Sequence, residues 1–329
     1  MSISIVIPTY NRADLLKRAL KSVFNQTIRP DEIIISDNAS TDHTQEVVRG
    51  FSNNGVNIKY FRHDKNVGML KNWEHAVSLV DTSFFSVLAD DDYLLPGFVE
   101  KGLVNLQGNS TLGMWSGITI CVDHDLKPIL LAPSNINAIK KYSNFDLLTF
   151  MLQHPASTGT IFNKKVFHRA GGFRTESAYL ADLSIMLRVS AISEVMISNY
   201  PVAIYSASAT YSQGHLFNTW YPGCLDIFEQ LRRFDVSRHY AYKRYVGRTL
   251  YKSYVDIIKT PFNAPSLLKQ KIGTFRMLFR YITPLAICFS FTEGFRVKYS
   301  AFLNKYNKSK LIRFCKSHNV EQKIKEANL

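Results

Sequence analysis

A chain of 329 residues, 46% hydrophobic and 20% charged, can bury a sizeable core; that excludes a disordered protein and leaves one large domain with an appendage, or two domains. Its four cysteines, Cys121, Cys224, Cys288 and Cys315, lie far apart, which argues against a zinc site or a disulfide framework and for a reducing cytosol. The net charge of +14 sits wholly in residues 240–329, which hold 18 Lys and Arg against 4 Asp and Glu, while the remainder of the chain is balanced.

The first run, Ser2–Ile7, is rich in β-formers and is closed by Pro8; it has no basic stretch before it, so it does not read as a signal peptide. Asn11 can cap a helix whose Leu16, Ala19, Leu20, Val23 and Phe24 share one face. Ile33–Ile35 is a short apolar strand ending at Asp37, after which Ser40 or Thr41 can cap a helix with Val47, Val48 and Phe51 inward. Val56, Ile58 and Tyr60 alternate as a strand. The tight turn Asn66-Val67-Gly68 then leads into a helix marked by Trp73, Ala76, Val77 and Val80. Phe84–Leu88 is a buried strand that stops at Asp90, Asp91 and Asp92, and Pro96 soon opens another helix.

From Trp115 the pattern changes. Met114–Val122 alternates as a strand, Asp123–Leu126 is a turn and Ile129–Leu131 a returning strand. Ser157–Phe162 is a further strand, Leu183–Ile192 a helix, and Val195–Asn199 and Val202–Tyr205 two more strands. Beyond Leu216 the chain reads as mainly helical, with Leu225, Phe228, Leu231, Leu267, Leu268 and Ile272 facing inward. No apolar run approaches the ~20 residues that span a bilayer; the longest, Tyr281 to Phe291, carries Pro284.

Alternating β and α units with apolar strands predict an α/β fold, a mostly parallel sheet covered by helices on both faces. Ligands of such sheets bind at the carboxyl ends of the strands. Polar clusters fall there three times, at Pro8–Arg12, at Asp37–Asp42 and at Asp90–Asp92. Three adjacent carboxylates repel one another unless a cation is near, and hard oxygen ligands suit Mg²⁺ or Mn²⁺; the plainer alternative is a solvated acidic turn. Asp37 can accept the N–H of a nucleobase, and Lys71 could reach a phosphate.

In order and spacing, Ser4-Ile5-Val6-Ile7-Pro8-Thr9-Tyr10-Asn11-Arg12, Ser36-Asp37-Asn38-Ala39-Ser40-Thr41-Asp42, Asn66-Val67-Gly68, Ala89-Asp90-Asp91-Asp92-Tyr93-Leu94-Leu95-Pro96 and the later Ala170-Gly171-Gly172-Phe173 with Ala181-Asp182 resemble the family 2 inverting glycosyltransferases over roughly residues 2–210. The resemblance implies a GT-A type fold, with a nucleotide-sugar-binding half at 1–112, an acceptor half at 113–212 and a helical, basic and aromatic region at 213–329. It implies that Pro8, Thr9, Arg12 and Asp37 contact the nucleoside and that Asp90 approaches the ribose or metal. Tyr10, Asn66, Gly68 and Lys71 complete the expected nucleotide-sugar site. Asp91 would be the principal metal ligand, with Asp92 and the loop His215 as further candidates, and Asp182 would be the catalytic base. Trp115 and Trp220 could stack on acceptor sugars, although Trp115 fits a core position better.

Four positions depart from the family pattern. Asn38 stands where a second acidic residue is usual, Ala39 replaces a glycine, and Ala89 stands where many members begin the metal motif. The acidic residue that often precedes the base is also missing, since Ala181 is there.

The implied partners are a nucleotide-diphosphate sugar donor and a lipid-linked glycan acceptor, as in bacterial transferases that build O-antigen or capsule repeats. The basic tail, with Lys243, Arg244, Arg248, Arg276 and Arg280 beside Phe275 and Phe279, could lie on the anionic inner face of the cell membrane; the alternative is a set of helices packed on the catalytic domain. A nucleic-acid binder would leave the acidic edge unexplained, and a dehydrogenase lacks its glycine fingerprint after the first strand. A catalytically inactive relative that binds carbohydrate or nucleotide is the remaining alternative.

Overall fold

The computed structural model describes residues 1–52, 55–109, 111–123, 125–132, 140–142, 156–206, 223, 226, 227, 229, 230, 272 and 311–326. Among the described residues ten strands form one sheet in the order β3-β2-β1-β4-β9-β6-β10-β5, with β7 on β6 and β8 on β10. The strands are β1 Ile3–Thr9, β2 Glu32–Asp37, β3 Asn57–Arg62, β4 Phe84–Val87, β5 Tyr93–Leu94, β6 Leu112–Val122, β7 Pro128–Ala132, β8 Lys140–Tyr142, β9 Thr160–Asn163 and β10 Glu194–Ser206. β3, β2, β1 and β4 are mutually parallel. β9 runs antiparallel to both β4 and β6, and β10 is parallel to β6. Strands β1, β2, β3, β4, β6 and β10 therefore point one way and share a carboxyl edge.

Each strand of the first half feeds side chains to both faces, as period-two alternation requires. Ile3, Ile5 and Ile7 pack with Leu16, Leu20 and Val23 of helix α1 (Ala13–Phe24), with Val48 of α2 (Thr44–Phe51) and with Phe98 and Val99 of α4 (Phe98–Leu106). Val6, Ile34 and Phe85 face the other way, onto Ala76 and Val77 of α3 (Met69–Ser78), Phe167 of α5 (Lys164–Arg169) and Ile185 and Leu187 of α6 (Ala181–Ile192). Gly102 lets α4 lie close on this sheet, because an added Cβ would come within 2.1 Å of Ile161 and 3.2 Å of Trp115. Trp115 is fully buried and its indole N–H donates to Ser198 Oγ at 2.8 Å, so it is a core residue and takes no part in acceptor stacking.

Several local expectations need correction. The two strands expected at Val195–Asn199 and Val202–Tyr205 are one strand, β10, whose pairing with β6 shifts register around Pro201. A proline has no N–H to give to the ladder, so it reads as a break while the strand continues through an irregularity. Asn11 does not cap α1. Its backbone is left-handed (φ 51°), and the free N–H of Ala13 is met at 2.9 Å by Asp42 from the neighbouring loop. Nor do Ser40 and Thr41 cap α2: Asp42 Oδ1 accepts from Thr44 N at 3.1 Å and does that work. Ile272, expected inward, is 38% exposed. His215, Trp220, Leu225, Phe228, Leu231, Leu267, Leu268 and the basic side chains from Lys243 to Arg280 lie outside the described residues. Among the described residues no helix is long and apolar enough to cross a membrane.

Candidate active site

The parallel register brings the first two polar runs side by side, with Thr9 at the end of β1 opposite Asp37 at the end of β2. β4 lies on the other flank of β1, and the aspartate run follows it directly. Thr9 Oγ1 donates to Asp90 Oδ2 at 2.8 Å. Arg12, just before α1, places Nη1 3.0 Å from Asp90 Oδ1 and 3.0 Å from Asp91 Oδ2. One guanidinium therefore bridges two carboxylates. Burial pushes the Asp90 carboxyl upward, Arg12 pulls it down and the Asp91 charge adds to the rise.

The three aspartates have separate environments. The side chains of Asp90 and Asp91 are 7% and 16% exposed, so Asp91 is the more open of the two that share Arg12. Asp92 is fully buried, accepts from Ser206 N at 2.9 Å and takes the Thr158 hydroxyl on its other oxygen. Burial pushes its carboxyl up to about 8, and the Asp91 charge adds to that. Arg18 of α1 donates to the Asp91 carbonyl and to Ser206 Oγ, and its guanidinium sits 5.1 Å from the centre of the Tyr93 ring. Arg18, Thr158 and Ser206 were not singled out in the sequence. They come from three remote segments and carry no local motif.

Asp37 is buried and well partnered: Oδ1 accepts from Ser40 N at 2.7 Å, and Oδ2 accepts from Tyr60 OH at 2.6 Å and lies 3.8 Å from Arg62 Nε. Burial raises the Tyr60 phenol, and the charge and hydrogen bond of Asp37 raise it further. Asn38 ropes the Asn66–Gly68 turn to β2, with Nδ2 donating to Asn66 Oδ1 at 3.0 Å and Oδ1 accepting from Val67 N at 2.8 Å. A carboxylate could not make the first of these bonds, so the departure at position 38 has a structural use. Ala39 holds a left-handed backbone (φ 65°), the conformation that suits the family's glycine. Pro8 is buried in the strand, whereas Tyr10, Asn66, Gly68 and Lys71 are exposed around the same edge.

Asp182 is the second residue of α6. That helix ends at Ile192 and enters β10 at Glu194, which pairs with Leu112 at the start of β6. The C-terminus of α6 therefore lies at the amino edge of the sheet. Twelve helical residues rise about 18 Å, which carries the N-terminus, with Asp182, toward the carboxyl edge. α3 and α6 cover the same face, and Trp73 of α3 makes a T-shaped contact at 5.4 Å with Phe173 in the segment between α5 and α6. Arg188 of α6 donates to the carbonyls of Ala170 and Gly172 and so fixes the glycine turn ahead of Asp182.

Thr9, Arg12, Asp90 and Asp91 thus form one bonded cluster beside Asp37, and Asp182 stands on a separate element whose N-terminus is directed toward their edge. Among the described residues no group of three or more His, Cys, Asp or Glu is arranged to hold a metal ion. The donor set at Asp91 and Asp90 still suits a hard cation that takes one or two protein carboxylates and fills its shell with water and phosphate.

The profile described as glycosyl transferase family 2 matches residues 4–171. The GalNAc(5)-diNAcBac-PP-undecaprenol beta-1,3-glucosyltransferase of Campylobacter jejuni is 38% identical over 96 residues, 29% of this chain and 31% of that protein. The abequosyltransferase RfbV of Salmonella typhimurium is 42% identical over 97 residues, 29% of each. The chain thus spans about a third of the length of these curated relatives. Among solved structures, Staphylococcus aureus TarS 1–349 in complex with UDP-GlcNAc aligns with a TM-score of 0.67 at 14% identity, covering 95% of this chain and 89% of that one. A mannosyltransferase from Pyrobaculum calidifontis in complex with GDP-Man and Mn²⁺ aligns at 0.55 and 14%, covering 96% and 86%. These likenesses establish a GT-A type fold.

Proposed function

The chain belongs to glycosyl transferase family 2, and from that premise we propose that it moves a sugar from a nucleoside-diphosphate donor to a glycan hydroxyl, inverting the anomeric centre, with Mg²⁺ or Mn²⁺ held at Asp91. The observation that carries this reading is the Thr9–Asp90–Arg12–Asp91 cluster at the carboxyl edge of the strands, next to Asp37. In this reading Asp37, kept in place by Ser40 and Tyr60, accepts from the nucleobase with its remaining lone pairs, while Tyr10, Asn66, Gly68 and Lys71 line the rest of the donor cleft. Asp91 holds the cation, Asp90 orients Thr9 and Arg12 toward the ribose and diphosphate, and Asp92 acts as scaffold, tying the aspartate run to Ser206 N and the Thr158 hydroxyl. When bound, the divalent ion supplies positive charge against the departing diphosphate. Asp182, arriving from the α-helical layer, takes the proton of the attacking acceptor hydroxyl.

The acceptor we propose is a lipid-linked glycan, in keeping with the undecaprenol-linked substrate in the name of the Campylobacter jejuni relative. The basic region then brings a peripheral enzyme to the inner membrane face. On the same reading, residues 1–112 bind the donor and 113–212 the acceptor, while 213–329 pack partly on the catalytic core, through Ile227 and Val320, and turn their basic side chains to the membrane. The two structural relatives carry UDP-GlcNAc and GDP-Man, so likeness of fold does not choose the nucleotide.

Thermal-shift screening against UDP-, GDP- and dTDP-sugars, with and without Mn²⁺, tests the proposal. One sugar nucleotide should stabilise the wild type in a metal-dependent way, Asp91→Ala should lose that dependence, and Asp182→Asn should keep donor binding while losing transfer. Near-normal turnover by Asp182→Asn would remove that residue from the mechanism.

A further inference from the structure

Past the end of β10, a short stretch of chain returns to the helix that carries Asp182. Gly223, Asp226, Ile227 and Gln230 lie on it; Ile227 is fully buried in the same core cluster as α6, and Gln230 is buried as well. Asp226 Oδ2 accepts three hydrogen bonds, from Ser177 Oγ at 2.5 Å, Ser184 Oγ at 2.9 Å and Gln230 Nε2 at 2.7 Å. Ser177 sits in the 3₁₀ turn Thr175–Leu180, and Ser184 is in the first turn of α6, two residues after Asp182. Both hydroxyls are fully buried; they lie 2.8 Å apart and Ser184 Oγ also accepts from Gln230 Nε2 at 2.7 Å, so without the carboxylate the pair would keep one bond between them and leave one buried hydroxyl proton without an acceptor, at a desolvation cost. The stretch also presses on the turn, since a Cβ added at Gly223 would come 2.5 Å from the Ser177 carbonyl and 2.9 Å from Leu180 Cβ.

We propose that Asp226 is a positioning residue for transfer: its carboxylate fastens the Thr175–Leu180 turn to the first turn of α6 and so holds Asp182 at the angle its role needs. The inference rests on the reading of Asp182 as the base. A three-way acceptor joining three segments restricts rotation of the helix end about its axis, and small misplacements of a reacting group are costly: about 1 Å can lower a rate ~100-fold. The binding of the donor at the strand ends does not pass through this knot.

The test compares Asp226→Ala, Asp226→Asn and Asp182→Asn in the full-length protein. Activity is followed as nucleoside diphosphate released from whichever UDP-, GDP- or dTDP-sugar stabilises the wild type most. Asp226→Ala should lower kcat about tenfold or more with donor KM within about twofold. Asp226→Asn, whose amide oxygen can accept the same three bonds, should recover most of the rate. Should Asp226→Ala fail to fold, Ser177→Ala removes one of the three bonds and should show the same kcat-only loss on a smaller scale. Wild-type kcat in the alanine variants, a parallel rise in donor KM, or an asparagine variant as impaired as alanine each overturns the positioning role. If Asp182→Asn is inactive while Asp226→Ala is normal, positioning fails and the base reading stands; if Asp182→Asn is fully active, both fall.

Discussion

Replacing Asp92 with asparagine should make the metal-free protein more stable, by an amount that grows with pH. Burial and the neighbouring Asp91 charge hold the Asp92 carboxyl near 8, against an ordinary value of 3.8, so folding takes up a proton throughout the interval between them. The stability from that proton is complete below about pH 4 and is lost as pH climbs toward 8, at 1.36 kcal/mol per unit, or on the order of 5 kcal/mol in all. The amide preserves the local bonding, because its oxygen can accept from Ser206 N while its NH₂ donates to the Thr158 hydroxyl. His75, lowered by burial and by His63, works in the opposite sense, since its stability is gained as pH rises to its ordinary 6.5. That effect, like the raised Asp90, is common to both proteins and cancels in the difference. Between pH 5.5 and 7.5 the gap in free energy should widen by about 3 kcal/mol, or roughly 5–10 °C in Tm. Scanning calorimetry of wild type and Asp92→Asn in EDTA across this range measures it. Parallel Tm profiles, or a variant less stable by a constant amount, would refute the reasoning.

Arg12→Ala should tighten Mn²⁺ binding in the absence of donor by about fivefold, because a guanidinium 3.0 Å from both carboxylates and 43% exposed opposes a second cation there by about 1 kcal/mol; electron paramagnetic resonance titration reads this, and equal or weaker binding contradicts it. Asn38→Asp should cost about 2 kcal/mol, since the new carboxylate faces Asn66 Oδ1 with no hydrogen to give, and a thermal melt should fall by several degrees. Ala39→Gly relieves a left-handed φ of 65° worth ~1–2 kcal/mol, against ~0.4–1 kcal/mol of added freedom in the unfolded chain. Its urea midpoint should therefore rise modestly, and a clear drop counts against strain at that position.

The layering of this fold was legible because it rests on periodicity. Ile3, Ile5 and Ile7 against Val6 divide into two cores as strand alternation says they should, and Leu16, Leu20 and Val23 meet the first of them. The edge was legible for a related reason: parallel strands end together, so polar runs after β1, β2 and β4 converge on one side. What escaped was whatever depends on a partner remote in sequence. Asp42 looked like a loop acid, and only the neighbouring loop shows that it caps α1 from outside. Tyr60 read as an alternating strand residue, and its bond to Asp37 depends on the β2–β3 register. The knot at Asp226 joins segments about fifty residues apart through two serines with no distinguishing pattern.

The aspartate run shows how one repeated residue acquires separate uses. In sequence Asp90, Asp91 and Asp92 are indistinguishable, and mutual repulsion is all that can be said of them. In the fold, Asp90 faces β1 and meets Thr9, Asp92 turns toward the end of β10 and meets Ser206, and Asp91 between them keeps the most open side chain. Each flanking carboxyl group spends its oxygens in hydrogen bonds within the fold, and Asp92 keeps its proton up to about pH 8, which is what allows two carboxyl groups to be buried beside a third. A cation arriving at this edge therefore finds one carboxylate open to it, and the two beside it fix where that carboxylate points. If Asp91→Asn bound Mn²⁺ as tightly as the wild type while Asp92→Asn did not, this division of labour would be reversed.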